Sequence, residues 1–120
     1  MKKLLLILIL LSFSGISYSA EKDITHVVVV WLNDGLNDEA ISEIINKTHI
    51  LSDIAAVREL QIGRPIASER DIVDDSFTFA ISVTFENAAD MKVYAVDKSH
   101  LNYVKTVLKP ALKKIVIYDF

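Results

Sequence analysis

No cysteine occurs anywhere in the 120 residues of this chain, which excludes disulfides, thiol nucleophiles and cysteine-ligated metals. Glycine is scarce, with three residues, and neither a glycine-rich phosphate loop nor a Gly-x-Ser-x-Gly elbow is present. Basic residues form no stripe and the formal charge is −3, so the sequence argues against a nucleic-acid partner. The three histidines, His26, His49 and His100, stand far apart without a His-x-x-x-His pair or a carboxylate cluster. No metal and no cofactor is expected from them. The length allows one domain, and no internal repeat or low-complexity segment divides it.

Apolar residues are abundant instead, and the first run of them is at the N-terminus. Lys2 and Lys3 precede the apolar stretch Leu4 to Leu11, and a small, polar tail follows. This is the pattern of a secretory signal over residues 1–20, leaving a domain over 21–120. Ser17-Tyr18-Ser19 offers a small-x-small site for cleavage after Ser19, whereas cleavage after Ala20 would put Tyr18 where a small residue is preferred. The apolar core is shorter than the roughly 20 residues of an ordinary membrane span; retention as an uncleaved anchor is the alternative. The expected protein is exported, periplasmic or secreted, and free of the membrane after cleavage. Loss of two lysines and no acids would leave 11 basic and 16 acidic residues, a charge of −5. Without disulfides, such a domain must be held by its core or by a partner.

Ile24 to Leu32 is the central feature of the remaining chain. Four successive valines, Val27 to Val30, are stiff at χ1 and favour a pleated strand. Alternation puts Val28, Val30 and Leu32 on one face, with His26, and Val27, Val29 and Trp31 on the other. Both faces are apolar, so each needs a cover.

Asn37 is placed to cap a helix of about 14 residues, with Asp38 and Glu39 in its first turn and Leu36 and Ile41 as a staple. Ile41, Ile44, Ile45, Thr48 and Leu51 follow helical spacing. Val57 to Arg64 reads as a half-polar strand suited to a sheet edge, and Arg64 to Asp75 as a charged loop. Phe77 to Phe85 alternates most clearly: Phe77, Phe79, Ile81, Val83 and Phe85 oppose Thr78, Ala80, Ser82 and Thr84. Asn87 begins a second helix with Ala88, Met91 and Ala95 expected inward. Ser99 is positioned to cap a third from His100 to about Leu108, with Leu101, Val104 and Leu108 inward and Pro110 beyond it. Lys114 to Phe120 is a last strand. The order β-α-β-β-α-β is the ferredoxin-like, split βαβ arrangement, an α+β fold with a four-stranded antiparallel sheet. Its helices lie on one face; a second copy packed sheet to sheet would cover the other, giving a homodimeric barrel.

His26-Val27-Val28-Val29, Leu60-Gln61-Ile62-Gly63, the strand ending Val83-Thr84-Phe85, Tyr94 followed six residues later by His100, and Ile117-Tyr118-Asp119-Phe120 together resemble the stress-responsive A/B barrel family. The likeness spans residues 24–120 and implies a dimeric α/β barrel. That family includes plant heat-stable proteins and a polyketide cyclase that makes olivetolic acid. Resemblance to the cyclase carries its tyrosine–histidine pair onto Tyr94 and His100. This chain has Phe79 where the cyclase has a second pocket histidine, and Asp97-Lys98 where the family often has His-Pro. Magnesium is seen near the end of the first helix in some plant relatives, but Leu51 to Val57 offers only Asp53.

Two functional expectations follow. In the first, the domain binds a small hydrophobic molecule in a pocket between sheet and helices, lined by His26, Val28, Phe79 and Ile81. In the second it is a cofactor-free lyase or cyclase acting on a polyketide-like substrate. His100 then serves as general base, kept neutral near a helix N-terminus, and Tyr94 as hydrogen-bond donor. The structural alternative for Tyr94 and His100 is that they close the helix–helix corner by hydrogen bonding. Asp97 either orients His100 or caps a turn.

Overall fold

The computed structural model describes residues 22–120 together with Gly15; apart from that glycine, the expected export signal lies outside them. Strand β1 (Ile24–Leu32) is followed by helix α1 (Asp38–Thr48) and a 3-10 turn (His49–Asp53). Strands β2 (Glu59–Gly63) and β3 (Phe79–Phe85) come next, then helices α2 (Ala88–Val96) and α3 (Lys98–Tyr103). A π-type turn (Val104–Leu108) and a short 3-10 turn (Lys109–Ala111) lead into strand β4 (Leu112–Asp119). The strands form one sheet in the order β2-β3-β1-β4, with every neighbouring pair antiparallel. This is the ferredoxin-like α+β fold expected from the sequence.

The four-valine strand is central, as its two apolar faces require. Its helix-side residues Val28, Val30 and Leu32 join Phe79, Ile81, Val83 and Phe85 of β3 in the core. Helix α1 lays Ile41, Ile44 and Ile45 against that core, and Thr48 and Leu51 close it. The Ala40 amide donates to Asn37 Oδ1 (2.8 Å), which satisfies one of the free N–H groups of the first turn. The half-polar β2 is an edge strand: Leu60 and Ile62 turn inward while Glu59 and Gln61 remain exposed.

Three helical expectations need correction. Asn87 caps α2, accepting from the Asp90 amide (2.9 Å), but Ala88 and Ala95 are exposed and the inward stripe is Met91 and Tyr94. Two alanines give too little apolar surface to determine which way a nine-residue helix faces. The cap of α3 is Asp97, whose carboxylate accepts from the Ser99 amide (2.8 Å), so the helix begins before His100. Leu101 points outward, and Tyr103 takes the inward place. The cause is the wide turn that follows: the Lys109 amide reaches back five residues to the Val104 carbonyl. One extra residue in that turn shifts the helical phase, so Tyr103 and His100 lie in line with buried Leu108 in place of Leu101, while Val104 still packs against the core as expected.

Candidate functional site

The phase shift at the π-type turn places His100 over the sheet, beside a cavity of about 480 Å³. Val28 of β1, Ile81 of β3, and Leu51 and Leu108 from the helical layer form its apolar walls. On the β4 side it is bounded by Ile115 and Ile117, which remain 37% and 49% exposed, and by the exposed Lys109. Among the described residues no helix covers this edge of the sheet, so β4 forms the mouth.

Three polar rings gather at one end. The Tyr94 ring lies 4.4 Å from the His100 ring, centroid to centroid, and 6.0 Å from that of His26, which it meets edge to face. Phe85 supports Tyr94 from the core at 5.1 Å. Helix α2 supplies Tyr94, α3 supplies His100 and β1 supplies His26, so three separate elements must pack correctly to assemble the group.

Each imidazole is held by one nitrogen. His100 Nδ1 lies 3.1 Å from the Ala95 carbonyl oxygen; a carbonyl only accepts, so Nδ1 carries the proton. His26 Nδ1 lies 2.5 Å from Asp119 Oδ1, and a carboxylate likewise accepts from it. His26 and Asp119 face each other directly across the β1–β4 pairing, which puts their side chains on the same face of the sheet. Burial lowers the pKa of His100, with a smaller contribution from His26, while the Ala95 and Asp97 contacts oppose the shift. Burial, and to a lesser degree Tyr103, raises the pKa of Tyr94. Near neutral pH the site therefore holds a neutral His100 and a protonated Tyr94. Tyr103 lines the cavity floor, and its hydroxyl lies 2.7 Å from Thr48 Oγ1, which also donates to the Ile44 carbonyl (2.8 Å).

Sequence reasoning named five of these residues, and the fold brings His26, Val28, Ile81, Tyr94 and His100 to one cavity. Phe79, expected in the lining, is fully buried in the core and does not reach it. It pairs with Val30, four residues along β1 from His26, too far toward the other end of the sheet. Asp97 caps α3, and the carbonyl of Ala95 anchors His100. Asp119, Tyr103 and Lys109 were missed. Antiparallel pairing of the first and last strands carries the signal for Asp119, because it sets the end of the chain beside His26. Among the described residues, no group of three or more histidine or acidic side chains converges to hold a metal.

The opposite face of the sheet carries Val27, Val29, Trp31, Ala80, Val116 and Tyr118, none of them fully buried. Phe77 packs on Trp31 edge to face (6.4 Å), and the Lys114 ammonium sits 4.5 Å from the indole centroid. Two shallow concavities of about 280 Å³ each lie on this face, with Phe77 lining both.

The family model of the stress responsive A/B barrel domain matches residues 24–120. Among solved structures, the hydroxynitrile lyase of Passiflora edulis is 26% identical, with 84% of this chain and 93% of that one covered and a TM-score of 0.72. A Dabb-family protein with a ferredoxin-like fold from Mesorhizobium loti is 23% identical (82% and 94% covered, TM-score 0.68). A dimeric protein of unknown function and ferredoxin-like fold from Bacteroides fragilis is 19% identical (82% and 94% covered, TM-score 0.65). No curated protein matches the sequence.

Proposed function

Because this chain belongs to the stress-responsive A/B barrel domain family, we propose that it works as an exported homodimer binding a small hydrophobic molecule between sheet and helices. The observation that carries this reading is the cavity itself: about 480 Å³, with apolar walls and polar groups at one end. That is the usual make-up of a small-molecule site. The dimer is supported by the apolar open face of the sheet, which a second copy would cover, and by dimeric neighbours of the same fold. Export is supported by the Lys2-Lys3 start and the apolar run after it. Native mass spectrometry of the protein from its own exported fraction tests all three at once. The expected species is a dimer of the chain lacking residues 1–20, carrying a small-molecule increment or taking one up from a panel of apolar compounds. A monomer, or a dimer that takes up none of the panel, counts against the reading.

A second reading is favoured by the stacked Tyr94–His100 pair and by the likeness to a hydroxynitrile lyase. Here His100 acts as general base through Nε2, since Nδ1 is held by Ala95, and Tyr94 donates to the oxygen on which charge develops. On a hydroxynitrile, His100 takes the hydroxyl proton as the carbon–nitrile bond breaks, leaving a carbonyl compound and cyanide. With mandelonitrile and a β-polyketone as probes, His100→Ala should lower turnover on the order of 10²–10⁴-fold with the fold intact. Equal turnover by the variant and the parent would rule out His100 as the base.

A further inference from the structure

The hydrogen bonds that hold the two cavity histidines also fix which nitrogen each presents to a ligand. Ala95 O and Asp119 Oδ1 can only accept, so both rings carry their proton on Nδ1. In each neutral ring this leaves Nε2 as a lone-pair acceptor. His26 and His100 both line the cavity, on either side of Tyr94. With His26 neutral as well as His100, the polar end is richer in acceptors than in donors: two imidazole lone pairs against one phenol hydroxyl. An apolar molecule bearing a carboxylate brings acceptors alone and would leave both lone pairs unmatched at that end. A neutral hydroxyl group donates to one of them and can accept from Tyr94.

We propose that the cavity selects neutral, hydroxyl-bearing apolar molecules, such as phenols and alcohols, with His26 Nε2 and His100 Nε2 as the accepting atoms and Asp119 as the positioning residue for His26. This rests on the ligand-binding reading above and specifies the ligand's chemistry. The competing occupant is an acidic amphiphile lying the other way round, its tail in the cavity and its carboxylate at Lys109 on the rim.

Isothermal titration with three matched probes separates these cases: 4-propylphenol, 4-propylanisole and 4-propylbenzoate. The phenol is expected to bind about tenfold more tightly than the anisole, the value of roughly one matched hydrogen bond, and the benzoate more weakly still. His26→Phe combined with His100→Phe should abolish the phenol's advantage over the anisole, whatever the change in binding common to both. If the double variant does not fold, one of the two single variants must show the loss. Long-range ¹H–¹⁵N correlation spectra of the unmodified protein should show both rings protonated on Nδ1. Equal binding of phenol and anisole, tighter binding of the benzoate, or an Nε2–H tautomer at either histidine overturns the proposal while the apolar pocket stands. Failure of all three probes to bind at millimolar concentration removes the ligand-binding reading, and this inference with it.

Discussion

The two faces of the sheet are made from the same strands and have opposite fates. On the helix side, Val30, Phe79, Val83 and Phe85 are wholly buried. On the other, Val27, Val29 and Trp31 belong to the same strand as Val30 and stay partly exposed. Composition does not separate them: β1 is apolar at nearly every position. What differs is the cover, which among the described residues α1, α2 and α3 supply on one side only. A strand that is apolar on both faces therefore marks an incomplete structure when one face lacks its layer. The cavity lies where the helical layer itself stops short, beside β4.

The sharpest way to break this comparison is to empty the covered face. Phe85→Ala removes a fully buried ring that also supports Tyr94, and should cost about 3–5 kcal/mol in urea unfolding. A cost below about 1 kcal/mol would mean that this face is less tightly packed than described. The open face calls for the opposite treatment. Val29→Asp should leave the monomer's circular dichroism intact but bury an unpaired charge in the proposed dimer, weakening association at least about 100-fold in sedimentation velocity. Unchanged association would place the dimer contact elsewhere.

Smaller effects test how the helical layer is fixed. Tyr103→Phe deletes the hydroxyl paired with the fully buried Thr48 and should cost about 1 kcal/mol; Thr48 keeps its bond to the Ile44 carbonyl. Asn37→Ala should cost a similar ~1 kcal/mol through loss of the α1 cap. The smallest effect is a pH dependence. His100 has its pKa lowered in the folded protein, chiefly by burial, so the unfolded chain binds the proton more readily. Stability contributed by the neutral ring is then complete above the ordinary histidine value of about 6.5 and falls as the pH drops below it. His100→Gln should flatten that part of a thermal-melt series between pH 7 and 5, and an unflattened series would assign the slope to other groups.

The strands were legible because period-two alternation in β3 and the valine run in β1 leave little room for another reading. β1 was read to its exact ends, and the edge position of β2 followed from its polar alternate residues. Tyr94 and His100 were named through the resemblance to a family member that carries a tyrosine–histidine pair at the same spacing. Their partners were not, since neither Ala95 nor Asp119 acts through a property visible locally: one offers a backbone carbonyl, the other a contact 93 residues away in sequence. The facing of α3 was misread for a related reason. Helical periodicity assumes a constant number of residues per turn, and the turn at Val104–Leu108 departs from it.

That wide turn acts as a phase adjuster between α3 and β4. Were a single residue deleted from it, an ordinary helical turn would close, and Leu101 would rotate toward the position His100 now occupies. The cavity would keep the His26 imidazole of β1 but exchange that of His100 for hydrocarbon, without any change to a residue that lines it at its polar end. For this fold, the length of one short backbone segment is thus as much a determinant of chemical character as the side chains themselves, and lineages that gain or lose a residue there would diverge in ligand chemistry in a single step.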